Sequence, residues 1–143
     1  MTREVEGRQS ILELADAYHR YGETNADGDF WAWQRVEDIV CGPVAEEAWE
    51  LVVTLIRTAP DERLEYIGAG PVEDLVNRHG AALIDSIEGE AKRDPRFREA
   101  LASIWLVSDD ILPNVLSRLQ AVTGGQIHVA TQAEIDAANE GLT

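Results

Sequence analysis

Gly68-Ala69-Gly70-Pro71-Val72-Glu73-Asp74-Leu75 is the stretch that decides how this chain reads. Glycine is the usual helix terminator, and proline is tolerated in a first turn, where its missing N–H leaves no bond unmade. The acids that follow complement the positive end of a helix dipole. The stretch therefore predicts one helix stopping near Gly68 and another starting at Pro71.

The same punctuation recurs outward in both directions. Toward the N-terminus, Pro60 opens a short helix through Ile67, and Gly42-Pro43 opens a longer one over residues 43–58. That helix is apolar on most sides (Val44, Ala48, Leu51, Val52, Leu55, Ile56). Its polar stripe is Glu46, Glu47, Glu50, Thr54 and Arg57, which predicts a central core helix. Phe30, Trp33, Val36 or Glu37, and Val40 give an amphipathic helix that ends at Gly42. Ile11, Leu12, Leu14, Ala15 and Tyr18 give another over residues 9–21.

Toward the C-terminus, the helix from Pro71 runs to about Arg78 and stops at Gly80. The next, over 81–92, buries Leu83, Ile84 and Ile87, with Glu88 and Lys92 as an i,i+4 pair. Asp94-Pro95 caps and opens a helix over 95–106, with Phe97, Leu101, Ile104 and Trp105 facing inward. Ser108, Asp109 and Asp110 start a further helix, bent or delayed by Pro113 and broken by Gly124-Gly125. Residues 126–130 are the one β-like run. Thr131 and Glu134 form a capping box for a last short helix. The fold class expected is all-α, an irregular helical bundle or short α-α superhelix of seven to nine helices. It forms a single domain over 1–143 with its core from 43–58, 81–92 and 95–106. Gly42-Pro43-Val44-Ala45-Glu46 echoes Gly70-Pro71-Val72-Glu73-Asp74, but two echoes fall short of the regular units a solenoid needs.

A chain of 143 residues with 45% hydrophobic side chains holds a core without disulfides or metal. Cys41 stands alone, which excludes a disulfide framework and a zinc-type cysteine cluster. No apolar run approaches a membrane span and no signal-peptide pattern opens the chain, so the expected location is cytoplasmic. The net charge is −15. Residues 1–50 carry 12 acids against 4 bases, residues 51–107 carry 10 against 7, and residues 108–143 carry 5 against 1. A field of that sign disfavours nucleic acid and anionic membranes and steers a basic protein inward.

From Trp49-Glu50-Leu51 through Ala59-Pro60-Asp61-Glu62, Gly70-Pro71-Val72-Glu73-Asp74-Leu75, His79-Gly80 and Asp94-Pro95-Arg96-Phe97-Arg98 to Trp105, the order of motifs resembles a family of small bacterial proteins. That family is known as a domain of unknown function. The resemblance covers about residues 44–105 and implies an all-helical domain. It implies no activity. Glu73 and Asp74 match its acidic helix start, and Arg98 its basic position after Phe97.

Candidate chemistry is sparse. Residues 23–34 have the acid or amide spacing and the Gly28 of an EF-hand loop. Glu23 stands at its first position, however, and Gln34 at the twelfth, where a bidentate carboxylate closes the site. A polar turn with Asp27 or Asp29 capping the next helix is the stronger reading. Glu47-x-x-Glu50 and Asp85-x-x-Glu88 are paired acids on successive helical turns. On facing helices such pairs hold magnesium for nucleotide hydrolysis. Thr54, Arg57 and Lys92 instead continue them as solvated faces. His19, His79 and His128 are scattered, and Asp16-x-x-His19 is a weak pair. Cys41, at a helix C-terminus, is expected to have a raised pKa rather than to act as a nucleophile. Trp31 falls with Arg35 and Asp38 on a polar face, near Asp27 and Asp29, the look of a hot spot for a basic partner. Phe30 and Trp33 belong to the apolar face.

The leading expectation is a non-catalytic cytoplasmic protein-interaction module without a cofactor, an acidic inhibitor or immunity-type protein for a basic partner. Its candidate binding residues are Trp31, Asp27, Asp29, Asp38, Glu73 and Asp74. The alternatives are a metal-dependent nucleotide hydrolase on Glu47, Glu50, Asp85 and Glu88, and a homo-oligomeric structural protein in which 126–130 takes a strand partner from elsewhere.

Overall fold

The computed structural model describes residues 3–141, and side chains from Ser10 onward. It is mostly helical. In chain order, α1 (Arg3–Thr24), α2 (Phe30–Val40), α3 (Ala45–Thr58), a short α4 (Leu64–Ile67), α5 (Glu73–Arg93) and α6 (Pro95–Ala102) pack together. They are followed by β1 (Trp105–Val107), α7 (Pro113–Thr123), β2 (His128–Ala130) and α8 (Gln132–Glu140). The buried apolar side chains of α1 to α7 form one contiguous cluster, with Leu51, Leu55, Ile56, Ile67, Ile87 and Phe97 among the most enclosed. Among the described residues, no helix is long and apolar enough to cross a membrane.

The opening stretch does not break the chain. Gly68 keeps right-handed helical dihedrals (φ −61°, ψ −53°), and Gly68–Val72 is a π turn that joins α4 to α5 without interruption. The Glu73 N–H donates to the Gly68 carbonyl, five residues back. The wider turn accommodates the Pro71 ring, which in an α-helix would strike the carbonyl four residues earlier. Gly68 is required here by a neighbour rather than by a helix end. A Cβ at Gly68 would lie 2.9 Å from Ser103 Cβ and 3.1 Å from the Ala100 carbonyl carbon. Gly80 does not end α5 either. It lies inside the helix facing Val115 of α7. A helical glycine costs about 1 kcal/mol, whereas each buried Leu83, Ile84 or Ile87 contributes roughly 1.5–3 kcal/mol. Packing wins.

Other boundaries move for similar reasons. Pro43 lies two residues ahead of α3, in the turn after α2. The helix expected to run to 106 ends at Ala102. Ile104 is then buried in extended chain, while Trp105 is 60% exposed on β1 rather than facing inward. Ser108–Asp110 is a single 3-10 turn, and α7 begins at Pro113 itself. Residues 128–130 do form a strand. Its partner is in the same chain: β2 pairs parallel with β1, Trp105 opposite His128 and Val107 opposite Ala130. Asp94 accepts the Arg96 N–H at 3.0 Å, and the Thr131–Glu134 capping box is complete. Gly124 and Gly125 take φ of 65° and 77°, the left-handed conformation that stops α7.

Candidate functional site

A cluster of titratable groups with raised pKa values gathers where α1, α2 and the start of α5 meet. Glu37 on α2, Cys41 at its C-cap and Asp74 on α5 bring their side-chain ligand atoms within 4.8 Å of one another. Burial pushes the Glu37 carboxyl up, aided by the charges of Asp74 and Asp38. Burial also raises Asp74, against the opposing charge of Arg78. The Cys41 thiol is raised by burial and then by Asp74 and Glu37, so it stays protonated at neutral pH, as its place at a helix C-terminus suggested. Above them the Tyr18 hydroxyl is pushed up to about 12, first by burial. Glu37, Cys41 and Asp74 are the ligand set the described residues would offer a cation, but nothing beyond their proximity points to one.

Glu73, the neighbour of Asp74, has a structural task. Its Oε1 accepts the Trp105 N–H at 2.6 Å, which ties α5 to β1. Burial raises its pKa and that hydrogen bond opposes the rise. The His79 Nε2 donates to the Val40 carbonyl at 3.0 Å, closing the C-terminus of α2 from the middle of α5. His19 is 6% exposed. Its Nε2 donates to Thr58 Oγ1 at 3.0 Å, and burial lowers its pKa. It has no hydrogen bond to Asp16.

The expected ring of acids around Trp31 is replaced by a different one. Asp29 is held by Arg20 through two hydrogen bonds of 2.8 Å, which keep its carboxyl below the usual range. Neither Asp27 nor Asp29 caps α2 with its side chain. Asp38 is exposed on α2 but outside the Trp31 groove. Phe30 and Trp33 are each 41% exposed and stack on one another at the surface instead of in the core. Trp31 itself is half-exposed and lines a groove of about 420 Å³ between α1, α2 and α3. Its rim carries Glu13, Glu47 and Glu50, with Arg35 as the one base. None of these three acids has an ion-pair partner among the described residues.

The four acids of the metal alternative do not converge. Arg118 on α7 bonds Asp85 at 2.7 Å and Glu88 at 3.1 Å, filling the place between them with a guanidinium. Its hydrogen bonds hold the Glu88 carboxyl below the usual range. Among the described residues, no three of Glu47, Glu50, Asp85 and Glu88 come within ion-sharing distance.

A second, larger groove of about 870 Å³ runs between α1, α3 and α5 and shares Ile11 and Glu50 with the first. Leu12, Trp49 and Val53 give it an apolar floor. Glu90, 4% exposed, sits in its wall and accepts from Arg57 at 3.1 Å and from Arg93 at 2.5 Å. Burial pulls the Glu90 carboxyl up, but the two arginines more than offset it, and it lies below its ordinary value. Sequence reasoning missed this group. The available signal was a carboxylate in register with Leu83 and Ile87 on the apolar stripe of α5.

Residues 19–127, from late α1 through α7 to the residue before β2, match one protein family along their whole length. The chain belongs to the family of unknown function DUF6869. The match is wider than the resemblance read from 44–105 and takes in Trp31, the Glu37–Cys41–Asp74 cluster, Glu90 and Arg118. Glu13 and the Ile11–Leu12 wall of the grooves precede it. No curated protein and no solved structure matches the chain.

Proposed function

We propose that this DUF6869 chain is a non-catalytic protein-interaction module that binds a basic segment of a partner in the Trp31 groove. One observation carries the reading: an exposed tryptophan stands in a groove whose rim acids Glu13, Glu47 and Glu50 have no ion-pair partner among the described residues. Several of the chain's bases are committed elsewhere, Arg20 to Asp16 and Asp29, Arg96 to Asp61, Arg118 to Asp85 and Glu88. Three acids against one base, Arg35, thus line the groove where an anchor residue is also available. Tryptophan contributes the apolar contact and the acids supply steering and salt sensitivity. An inhibitor or immunity-type protein that covers a basic surface is the sharper form of this reading.

The test is fluorescence anisotropy with matched Lys/Arg-rich and Glu/Asp-rich heptapeptide pools at low and high salt. Basic peptides are expected to be preferred, and the preference should weaken with salt. Trp31→Ala should lower affinity about tenfold or more, the scale of an aromatic hot spot. Equal, salt-insensitive binding of both pools overturns the reading.

A further inference from the structure

The larger groove is polarised along its length. His79 of α5 reaches Val40, just ahead of α3, and Glu90 of α5 is held by Arg57 near the end of α3. The two helices therefore run parallel along the groove. Glu46 and Glu50 lie toward the start of α3, Asp85 lines the groove from α5 but is paired with Arg118, and Arg57 and Arg93 lie at the far end. The rise from Glu46 to Arg57 is about 16 Å, the length of roughly five residues of extended chain.

The basic end is a built device. Glu90 is buried, and its two oxygens each take one Nη2, from Arg57 and from Arg93. Each guanidinium is thereby tethered through one Nη2, with its side chain otherwise exposed, while the Nη1 and Nε donors make no hydrogen bond to the described residues. The trio carries one net positive charge. That charge suits a single carboxylate, because a planar guanidinium fork matches its two oxygens. A polyphosphate would meet Glu46 and Glu50 in the same groove, so the charge pattern disfavours it.

We infer that this groove receives the C-terminal segment of a partner polypeptide, with the terminal carboxylate on Arg57 and Arg93 and a basic side chain about four or five residues earlier beside Glu46 and Glu50. Apolar side chains in between lie on Leu12, Trp49 and Val53. The inference rests on the reading of a basic partner above and deepens it, because Ile11 and Glu50 join this groove to that of Trp31.

The test uses two random heptapeptide libraries on the full chain, one with free C-terminal carboxylates and one with carboxamides. The carboxylate library should be enriched at least tenfold over the amide library, with Lys or Arg concentrated four or five residues before the terminus. Arg57→Gln should erase most of the carboxylate preference. Glu46→Gln with Glu50→Gln should erase the basic preference and leave the carboxylate preference intact. The library comparison on the unaltered chain stands even if removing Arg57 from Glu90 weakens folding. Capture of basic peptides equally from both libraries overturns this inference and leaves the broader reading in place. A carboxylate preference without any basic preference overturns the basic-partner reading and, with it, the placement of a basic side chain beside Glu46 and Glu50. Enrichment from neither library overturns both.

Discussion

Three glycines in helical backbone should respond to alanine in opposite directions. By intrinsic propensity alone, glycine to alanine inside a helix stabilises by about 1 kcal/mol. At Gly89 a new Cβ would meet only the Arg93 Nη1 at 3.9 Å, so Gly89→Ala should realise most of that gain. At Gly80 the nearest atoms are the flexible side chains Val115 Cγ1 at 3.5 Å and Val76 Cγ1 at 3.8 Å, ordinary contacts, and a gain of about 0.5 kcal/mol is expected. At Gly68 the new methyl would stand 3.1 Å from the Ala100 carbonyl carbon and closer still to its oxygen. Carbon pairs rest at about 3.5–4.0 Å, so α6 must retreat by roughly half an ångström or more. Its anchors Phe97 and Leu101 are both fully buried, which makes that retreat expensive. Overpacking costs about 1–3 kcal/mol. The net expectation for Gly68→Ala is a loss of about 1–2 kcal/mol, or some 3–6 °C in Tm for a domain of this size. Urea denaturation with m held constant reads all three variants. If Gly68→Ala proves as stable as the parent chain, the close approach of the π turn to α6 is not what demands glycine there, and the reasoning fails.

The remaining predictions concern charge. Glu90→Gln keeps the shape of a buried carboxylate but weakens two charge-assisted hydrogen bonds, and should cost about 2 kcal/mol at pH 7 by chemical denaturation. The Glu90 pKa is depressed on folding, so its contribution is present above the unfolded value and is lost as pH falls through the folded value. The gap between parent and variant should therefore close in acid, and a gap that persists unchanged at pH 3 contradicts this account. Asp74→Asn relieves the opposite situation. The folded pKa of Asp74 is raised, so stability falls as pH climbs from the unfolded value through the folded one, and the charged form is a cost at pH 7. The variant should gain about 0.5 kcal/mol at neutral pH after allowance for solvent screening, and nothing once the carboxyl is protonated. With one negative neighbour gone, Cys41 should react faster with an aromatic disulfide reagent near pH 8; an unchanged rate counts against the cluster.

Much of the architecture was written in local chemistry. Asp94-Pro95, Thr131 with Glu134, and Gly124-Gly125 act through bonds within a few residues of themselves, and each does what its sequence implies. The strand at 128–130 was legible as β-branched and apolar alternation, whereas its partner was not, because β1 sits in what reads as the tail of a helix. The site was less legible still. The exposure of Trp31 was legible in its place on a polar helix face. Its acidic rim was not, since Glu13, Glu47 and Glu50 come from two other helices and meet it only after packing. Asp29 looked available because Arg20, nine positions earlier, folds back on it across a turn.

By itself, then, the sequence determined that the chain is helical and acidic, because periodicity, caps and charge are properties of neighbours along the chain. Tertiary structure decided the meaning of Gly68-Ala69-Gly70-Pro71. Whether a glycine ends a helix or lets one helix touch another depends on what lies across from it. Across from Gly68 lies the backbone of α6. The same holds for Glu90: a carboxylate on an apolar stripe becomes a clamp for two arginines only when α3 and α5 come to lie side by side.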